Sequence, residues 1–367
     1  MKILILADPA APHTIKWVNS LSKQGIEIYL FGLSYYDKEL YNKNVKISSL
    51  NASLEIKNKP FGSYSKIIYL TALRSLKKII KEFKPDIVHS HFASSFGLIG
   101  ALSGFHPFII SVWGTDIYNF PERSFLHKRI IEYNLSKADK ILSTSKAMAL
   151  QTRKFTDKEI EITPFGIDVN KFKPGEVDSI FSKDDFIIGT IKTLEKKYGV
   201  EYLIKAFKLV KNELSDIRLK LLVVGGGSLL NELKHLTKEL KIEKDTIFSG
   251  FIVPDKIPAY HNMLDVFVSL SIEDSESFGV AVIEASACEK PVVVSRVGGF
   301  PEVVENNVTG IIVEKENVKE AADAMLKLIK DKYLREEMGK AGRKRVIKYF
   351  NWDENVTQML NIYRQVQ

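Results

Sequence analysis

Two glutamates in one short stretch are placed to act together. Glu276 and Glu284 bracket seven residues in ESFGVAVIE, soon after an apolar run that ends near Ser271. The polar loop there gives way to a helix expected to begin around Ser277 or Phe278. Ser277 suits the N-cap, and Gly279 leaves the first turn open to close approach. Free N–H groups and the positive end of the helix dipole make such a start an anion site. Glu276 stands just before it and Glu284 two turns along it. Phosphates need N–H donors and hydroxyls need acceptors, so an anion site between two carboxylates suits a sugar nucleotide. Two glutamates also occur on many helices that bind nothing. The next segment, PVVVSRVGGFPEVV, adds a second strand–glycine turn–helix unit. Gly298 and Gly299 there let backbone amides approach a ligand, and Pro301 fits a first helical turn.

The elements that must position these groups alternate between strand and helix. KILILA (2–7), IEIYLFG (26–32), DIVHSHF (86–92), FIISVWG (108–114) and KILSTS (140–145) read as strands of the first half. FIIGTI (186–191), LKLLVVGGG (219–227), TIFSGF (246–251), VFVSLS (266–271), PVVVSR (291–296) and GIIVE (310–314) follow in the second. Near-continuous apolar strands separated by amphipathic helices mean parallel sheets covered on both faces. Pro164, Gly166, Pro174 and Gly175 cluster before a fresh strand, so the chain is expected to divide near residue 170. The expected architecture is α/β: two Rossmann-like, doubly wound domains, 1–170 and 171–349. A last helix at about 350–367, with Trp352, Met359, Leu360 and Tyr363 to bury, is expected to return to the first. Ligands of such sheets sit beyond the carboxyl ends of the strands, and a cleft between the domains is where chemistry is expected. Gly225 to Gly227 do not spell G-x-G-x-x-G, which leaves a nicotinamide dinucleotide without support.

At 367 residues, 45% hydrophobic and 27% charged, the chain has the composition of two ordinary globular domains. Its N-terminal apolar run lacks the basic flank and cleavage context of a signal peptide. No stretch approaches the roughly 18 apolar residues of a membrane span. Cys288 is the only cysteine, which excludes an internal disulfide and points to the cytoplasm. The net charge of +8 is concentrated: residues 1–84 carry 14 Lys and Arg against 6 Asp and Glu. Arg74, Lys77, Lys78 and Lys81 fall on one helical stripe, with Lys57, Lys59 and Lys66 nearby in sequence. The stripe reads either as a contact for an anionic membrane or as a solvated face. No aromatic–basic platform accompanies it, so nucleic acid is not an expected partner.

The stretch 266–314 resembles the donor-binding signature of family-4 glycosyltransferases, the retaining enzymes of the GT-B fold. Their E-x7-E motif is matched by Glu276 to Glu284, followed by EASACEKPVV, GGFPEVV and TGIIV in the family's order. The resemblance implies that Glu276 contacts a donor-sugar hydroxyl and Glu284 the ribose hydroxyls, with Ser277, Phe278 and Gly279 also at the donor. IGTIKTLEKKYGVEYLIKAF (188–207) is similar to the family's stretch in which an Arg and a Lys five residues apart bind the diphosphate. Lys192 and Lys197 have that spacing, with Lys in place of the more usual Arg. Tyr198 is inserted before Gly199, which leaves Lys196 as the other candidate for the second cation. Such cations offset the charge that grows on a departing diphosphate. LLVVGGGSLL and FSGFIVPDKIPAYHN resemble the segments around the base, which implies Gly226, Phe251 and Ile252 there.

In the first half, HSHFASSFGLIGAL, SVWGTDIY and ADKILSTSKAM match the family's acceptor-domain landmarks. Many relatives carry His where this chain has Trp113, while Gly114 and Asp116 are retained. Asp116 is expected either to orient an acceptor or to cap the segment that follows. His13, after the first strand, is expected to touch phosphate or acceptor, or to serve only as a cap or surface residue. The implied activity is retaining transfer from a nucleoside-diphosphate sugar, UDP-sugar by family frequency, to a glycan or lipid-linked acceptor in cell-surface polysaccharide or glycolipid synthesis. No cofactor or metal is implied. The alternatives are a nucleotide-sugar epimerase of the same fold, or a non-catalytic sugar-nucleotide binder in a polysaccharide assembly complex.

Overall fold

The computed structural model describes residues 1–51 and 63–367, with the side chains of 63–70 left aside. Contacts divide the described chain into two compact units, Met1–Pro164 with Asn355–Gln367, and Phe165–Glu354. The division falls just ahead of the Pro/Gly-rich stretch around residue 170.

The first unit holds β1 (Lys2–Leu6), β2 (Glu27–Gly32), β3 (Lys46–Ser49), β4 (Ile87–His91), β5 (Phe108–Val112), β6 (Lys140–Ser143) and β7 (Ile160–Ile162). They form one sheet in the order β3-β2-β1-β4-β5-β6-β7, parallel throughout. The second unit holds β8 (Asp185–Ile191), β9 (Arg218–Val224), β10 (Thr246–Gly250), β11 (Val266–Ser269), β12 (Val292–Ser295) and β13 (Gly310–Val313). Its order is β10-β9-β8-β11-β12-β13, again all parallel. Both are the expected doubly wound, Rossmann-like sheets of a GT-B protein. β3 and β7 were not expected from the sequence. Each is a short edge strand, KISS and IEI, without the apolar run that marks a strand covered on both faces.

Helices cover both sheets because the strands between them are apolar on both faces. In the first unit Leu4, Leu6, Val88 and Ile110 pack against Leu76, Ile99, Ile131 and Leu135 of the helices. In the second, Ile188, Leu221, Val266 and Val293 meet Leu203, Phe207, Met325 and Leu328. Strand order reverses between β1 and β4 in one unit and between β8 and β11 in the other. At such a switch point the loops leave in opposite directions and open a crevice beyond the strand ends.

On the helix Ser63–Phe83, Arg74, Lys77, Lys78 and Lys81 are exposed while Ala72, Leu76, Ile79 and Phe83 are buried. Lys57 and Lys59 lie outside the described residues, as does the side chain of Lys66. Among the described residues no helix is long and apolar enough to cross a membrane.

The last helix, Trp352–Val366, is tied to the first unit: Gln358 Nε2 donates to the carbonyl of Ile162 at 2.9 Å. Tyr363 is fully buried, with its hydroxyl 2.7 Å from His89 Nδ1. The other nitrogen of His89 lies 2.8 Å from Ser111 Oγ. Burial lowers the His89 pKa to about 3, so the ring is neutral in the folded protein. Tyr363→Phe leaves a buried ring nitrogen without its partner and should destabilise the fold by about 1–3 kcal/mol, read as a lower urea midpoint. An unchanged midpoint would show the bond to be dispensable.

The same ring sets a pH dependence. Because its folded pKa lies below the unfolded value, its stabilisation is complete above about pH 6.5 and is lost as pH falls toward 3. The expected slope is up to about 1.4 kcal/mol per pH unit over that window. Denaturant melts at pH 7, 6 and 5 read it; His89→Gln should reduce the slope, the remainder coming from the buried His91.

Candidate functional site

The switch point of the second unit joins two loops, one after β8 carrying the lysines and one after β11 carrying Glu276. Glycines seat both. A Cβ on Gly225 (φ +134°) would collide with the carbonyl of Lys192, and one on Gly227 with that of Leu194. A Cβ on Gly199 (φ +59°) would strike the carbonyl of Leu270. With hydrogen at these positions, Lys192 N–H donates to Val224 O and Leu194 N–H to Gly226 O, each at 2.9 Å. Glu195 accepts from the N–H and hydroxyl of Ser228 at 2.9 and 2.6 Å, and those donors hold its carboxyl below the usual range. Ile272 N–H donates to Lys197 O at 2.9 Å and binds the lysine loop to the β11 loop.

The second glycine pair acts differently from expectation. Gly298 N–H donates to Asp274 Oδ1 at 3.1 Å and Gly299 N–H to the carbonyl of Glu276 at 3.0 Å. These amides hold the Glu276 loop in place instead of reaching for a ligand. A Cβ on Gly298 would collide with the carbonyl of Glu276, and one on Gly299 with that of Ser277.

The helix start is also corrected. The helix runs Val280–Ala287 and its N-cap is Gly279, in the left-handed region at φ +89°, not Ser277. An L side chain is strained there, and a Cβ would meet the Phe300 ring. Glu284 consequently lies little more than one turn into the helix, not two. The Phe278 side chain, 3% exposed, belongs to the core, with ring centroids 6.1 Å from Phe165 and 5.3 Å from Phe350. Any part for Phe278 at a ligand therefore falls to its backbone.

Between the seated loops, Lys192 Nζ lies 2.6 Å from Glu276 Oε2, with the two side chains 12% and 11% exposed. Ser271 Oγ donates to the same carboxylate oxygen at 3.1 Å. Lys197 is half-buried and Lys196 exposed. Lys197 and Lys192 both bring their ammonium groups to the Tyr198 ring, at 4.8 and 4.5 Å from its centre. Glu284 Oε2 lies 3.4 Å from Nε2 of the fully buried His261. Gly226 faces open space, Phe251 is 79% exposed and Ile252 half-buried.

In the first unit the residues fall into two groups. Asp116, 1% exposed, accepts from the N–H of Ala93 at 2.7 Å through one oxygen. Through the other it accepts from Trp113 and Gly114, at 3.2 and 2.9 Å. Burial raises its pKa and these N–H groups offset part of that rise. Asp116 is therefore a cap that joins the turns after β4 and β5, not a group open to an acceptor. Asn134 completes the joint by donating to the carbonyl of Ala93 at 2.8 Å.

The second group lies at the switch point. Trp113 sits with its ring centroid 4.4 Å from His91, 5.3 Å from Phe92 and 6.0 Å from His13. Phe92 has φ +78°, a strained value for a bulky residue and of the kind found near ligands. His91 was missed from sequence, although His89 and His91 share one face of β4 by their spacing. Among the described residues, His91 Nδ1 is buried without a hydrogen-bond partner, and burial holds its pKa well below the ordinary value. No cluster of three or more His, Cys, Asp or Glu among the described residues is placed to hold a metal.

Removing one member of the Lys192–Glu276 pair leaves the other charge in a shielded place. Lys192→Met and Glu276→Gln should each destabilise the second unit, by about 3 kcal/mol where the remaining charge stays fully buried. The double variant should recover part of that loss, with a coupling above about 1 kcal/mol in urea melts. Strict additivity would show that the contact carries no net energy.

Comparison with known proteins agrees with the fold. The profile "Glycosyl transferases group 1" matches residues 176–345, and "Glycosyl transferase 4-like" matches residues 2–145. The capsular polysaccharide biosynthesis glycosyltransferase CapM of Staphylococcus aureus is 32% identical over 326 residues, 78% of this chain and 80% of that one. A GDP-mannose-dependent phosphatidylinositol monomannoside mannosyltransferase of Mycobacterium tuberculosis is 29% identical over 216 residues. There the match spans 56% of this chain and little more than half, 56%, of the relative's length. Among solved structures, sucrose-phosphate synthase of Thermosynechococcus elongatus superposes with TM-score 0.84 at 20% identity, covering 100% of this chain and 99% of that one. Anabaena HepE in complex with UDP gives 0.81 at 18% identity and full coverage of both. At such identities these two speak for the fold alone. With the E-x7-E loop seated at the switch point and both halves matched, the chain belongs to the family-4, group 1 glycosyltransferases of the GT-B fold.

Proposed function

We propose that this protein transfers a sugar from a nucleoside-diphosphate sugar to a glycan or lipid-linked acceptor, with retention of anomeric configuration. The observation that carries the reading is the Lys192–Glu276 pair at the switch point of the second unit, 2.6 Å apart and largely shielded from water. A diphosphate bound there meets Lys192 and Lys197, and their charge offsets what builds up on the leaving group. Glu276, acceptor-only when ionised, is suited to a donor-sugar hydroxyl, and Glu284 to the ribose hydroxyls. The amides of Ser277, Phe278 and Gly279 lie at the start of the helix that carries Glu284. Gly226, Phe251 and Ile252 are assigned to the base. Attack comes from the face the diphosphate leaves, which accepts the proton, and no metal takes part. The acceptor binds the first unit near His13, Trp113 and Gly114.

One relative is named for GDP-mannose, and the HepE structures hold UDP, UDP with glucose, or UDP-glucose. UDP-sugar is the favoured donor, and the CapM relative supports a role in surface polysaccharide or glycolipid assembly. The exposed stripe Arg74, Lys77, Lys78 and Lys81 supports a peripheral seat on the anionic inner face of a membrane.

A thermal-shift screen of UDP-, GDP- and ADP-sugars tests the donor. At 100 times its dissociation constant the right one should add about 2.7 kcal/mol of stability. If none stabilises the protein, the donor reading falls. Glu276→Ala should abolish transfer while the protein stays folded; transfer near the parent rate would remove Glu276 from the mechanism.

A further inference from the structure

Lys192 and Lys197 are two like charges, and the structure places one aromatic ring against both. The Tyr198 ring centre is 4.5 Å from Lys192 Nζ and 4.8 Å from Lys197 Nζ, with the ring half-buried. The ring's own position is fixed by its backbone. Lys196–Tyr198 form a short turn in which Tyr198 N–H donates to Glu195 O at 3.0 Å and Gly199 N–H to Lys196 O at 3.1 Å. Glu195 is in turn bound to Ser228, and Gly199 is pressed against Leu270. The ring is thus anchored to both loops of the site.

We propose that Tyr198 is a positioning residue for diphosphate binding, holding Lys192 and Lys197 at one anion site through its ring face. Two ammonium groups brought to one site repel each other, and each gains side-chain freedom by swinging into water. The negative face of an aromatic ring attracts both ammonium groups. Lys192 has Glu276 as a second anchor. Once a sugar hydroxyl engages that carboxylate, the ring still holds the lysine in place. The residue that interrupts the usual spacing between the second lysine and its glycine is on this account a working part of the site. The ring face does this, and the hydroxyl is not required.

This proposal rests on reading the second unit as a nucleoside-diphosphate site. Its test compares ligands with and without the second phosphate on the full chain. UDP, GDP and ADP, each beside its monophosphate, are titrated calorimetrically into parent, Tyr198→Leu and Tyr198→Phe proteins. Tyr198→Leu should weaken the diphosphate bound by the parent about tenfold, the equivalent of about 1.4 kcal/mol. The matching monophosphate should stay within about twofold, and Tyr198→Phe should restore most of the diphosphate affinity. Tyr198→Met serves if the leucine variant does not fold. Unchanged diphosphate affinity overturns the proposal, as does an equal loss for both ligands, which is what mere loop damage would give. Failure of the parent to bind any diphosphate overturns the donor reading itself, and this proposal with it.

Discussion

The ion pair between Lys192 and Glu276 is the constraint on which the second unit's architecture turns. Bringing both charges out of water is costly, and their attraction offsets that only if the geometry is held closely. Neither side chain can do this alone, because each sits on a loop beyond a strand end. The burden falls on the backbone. Gly225, Gly227 and Gly199 let the lysine loop lie against its neighbours, and Gly298 and Gly299 clamp the glutamate loop from the far side. Gly199, Gly225, Gly227, Gly298 and Gly299 all act by close backbone approach.

This arrangement explains a feature that is wasteful for stability alone. A shielded ion pair is often no more stabilising than apolar residues of similar volume. On the proposed reading a ligand takes over both partners, its phosphates replacing the carboxylate at the lysine and its hydroxyl replacing the lysine at the carboxylate. The free site then keeps each charge satisfied and aimed until the ligand arrives. Tyr198 and Ser271 extend the same logic, one beside the cation and one beside the anion.

Much of this was legible in the sequence, for physical reasons that differ by element. Strands covered on both faces announce themselves by unbroken apolar runs, so β1, β4, β5 and the strands of the second unit could be read directly. β3 and β7 could not, since KISS and IEI carry no such run, unlike the edge strand β13, GIIV. The glutamates and lysines were visible through their spacing. What was not visible is which hydrogen bonds the glycine amides make, because Gly298 and Gly299 look the same whether they face a phosphate or Asp274 and Glu276. Asp116 left two readings open for the same reason: a carboxylate after a strand end reads equally as a ligand contact or a cap, and its three backbone donors decide for the cap. His91 and Tyr198 were passed over because their roles come from neighbours distant in sequence or out of register with the family pattern.

The two units use one sheet design for opposite electrostatic ends. At the second switch point the groups are charged and paired, Lys192 with Glu276. At the first, His91 at the end of β4, Trp113 just after β5 and His13 at the start of the helix after β1 lie ring against ring, with burial keeping His91 and its neighbour His89 neutral. Among the described residues His91 Nδ1 has no hydrogen-bond partner, so this neutral imidazole beside an indole offers a hydrogen-bonding atom and an apolar face. Sugar rings present that same combination, hydroxyl edges and a C–H face. On the proposed reading, the buried neutral His91 beside Trp113 therefore suits an uncharged sugar unit at the first switch point more readily than a second anion.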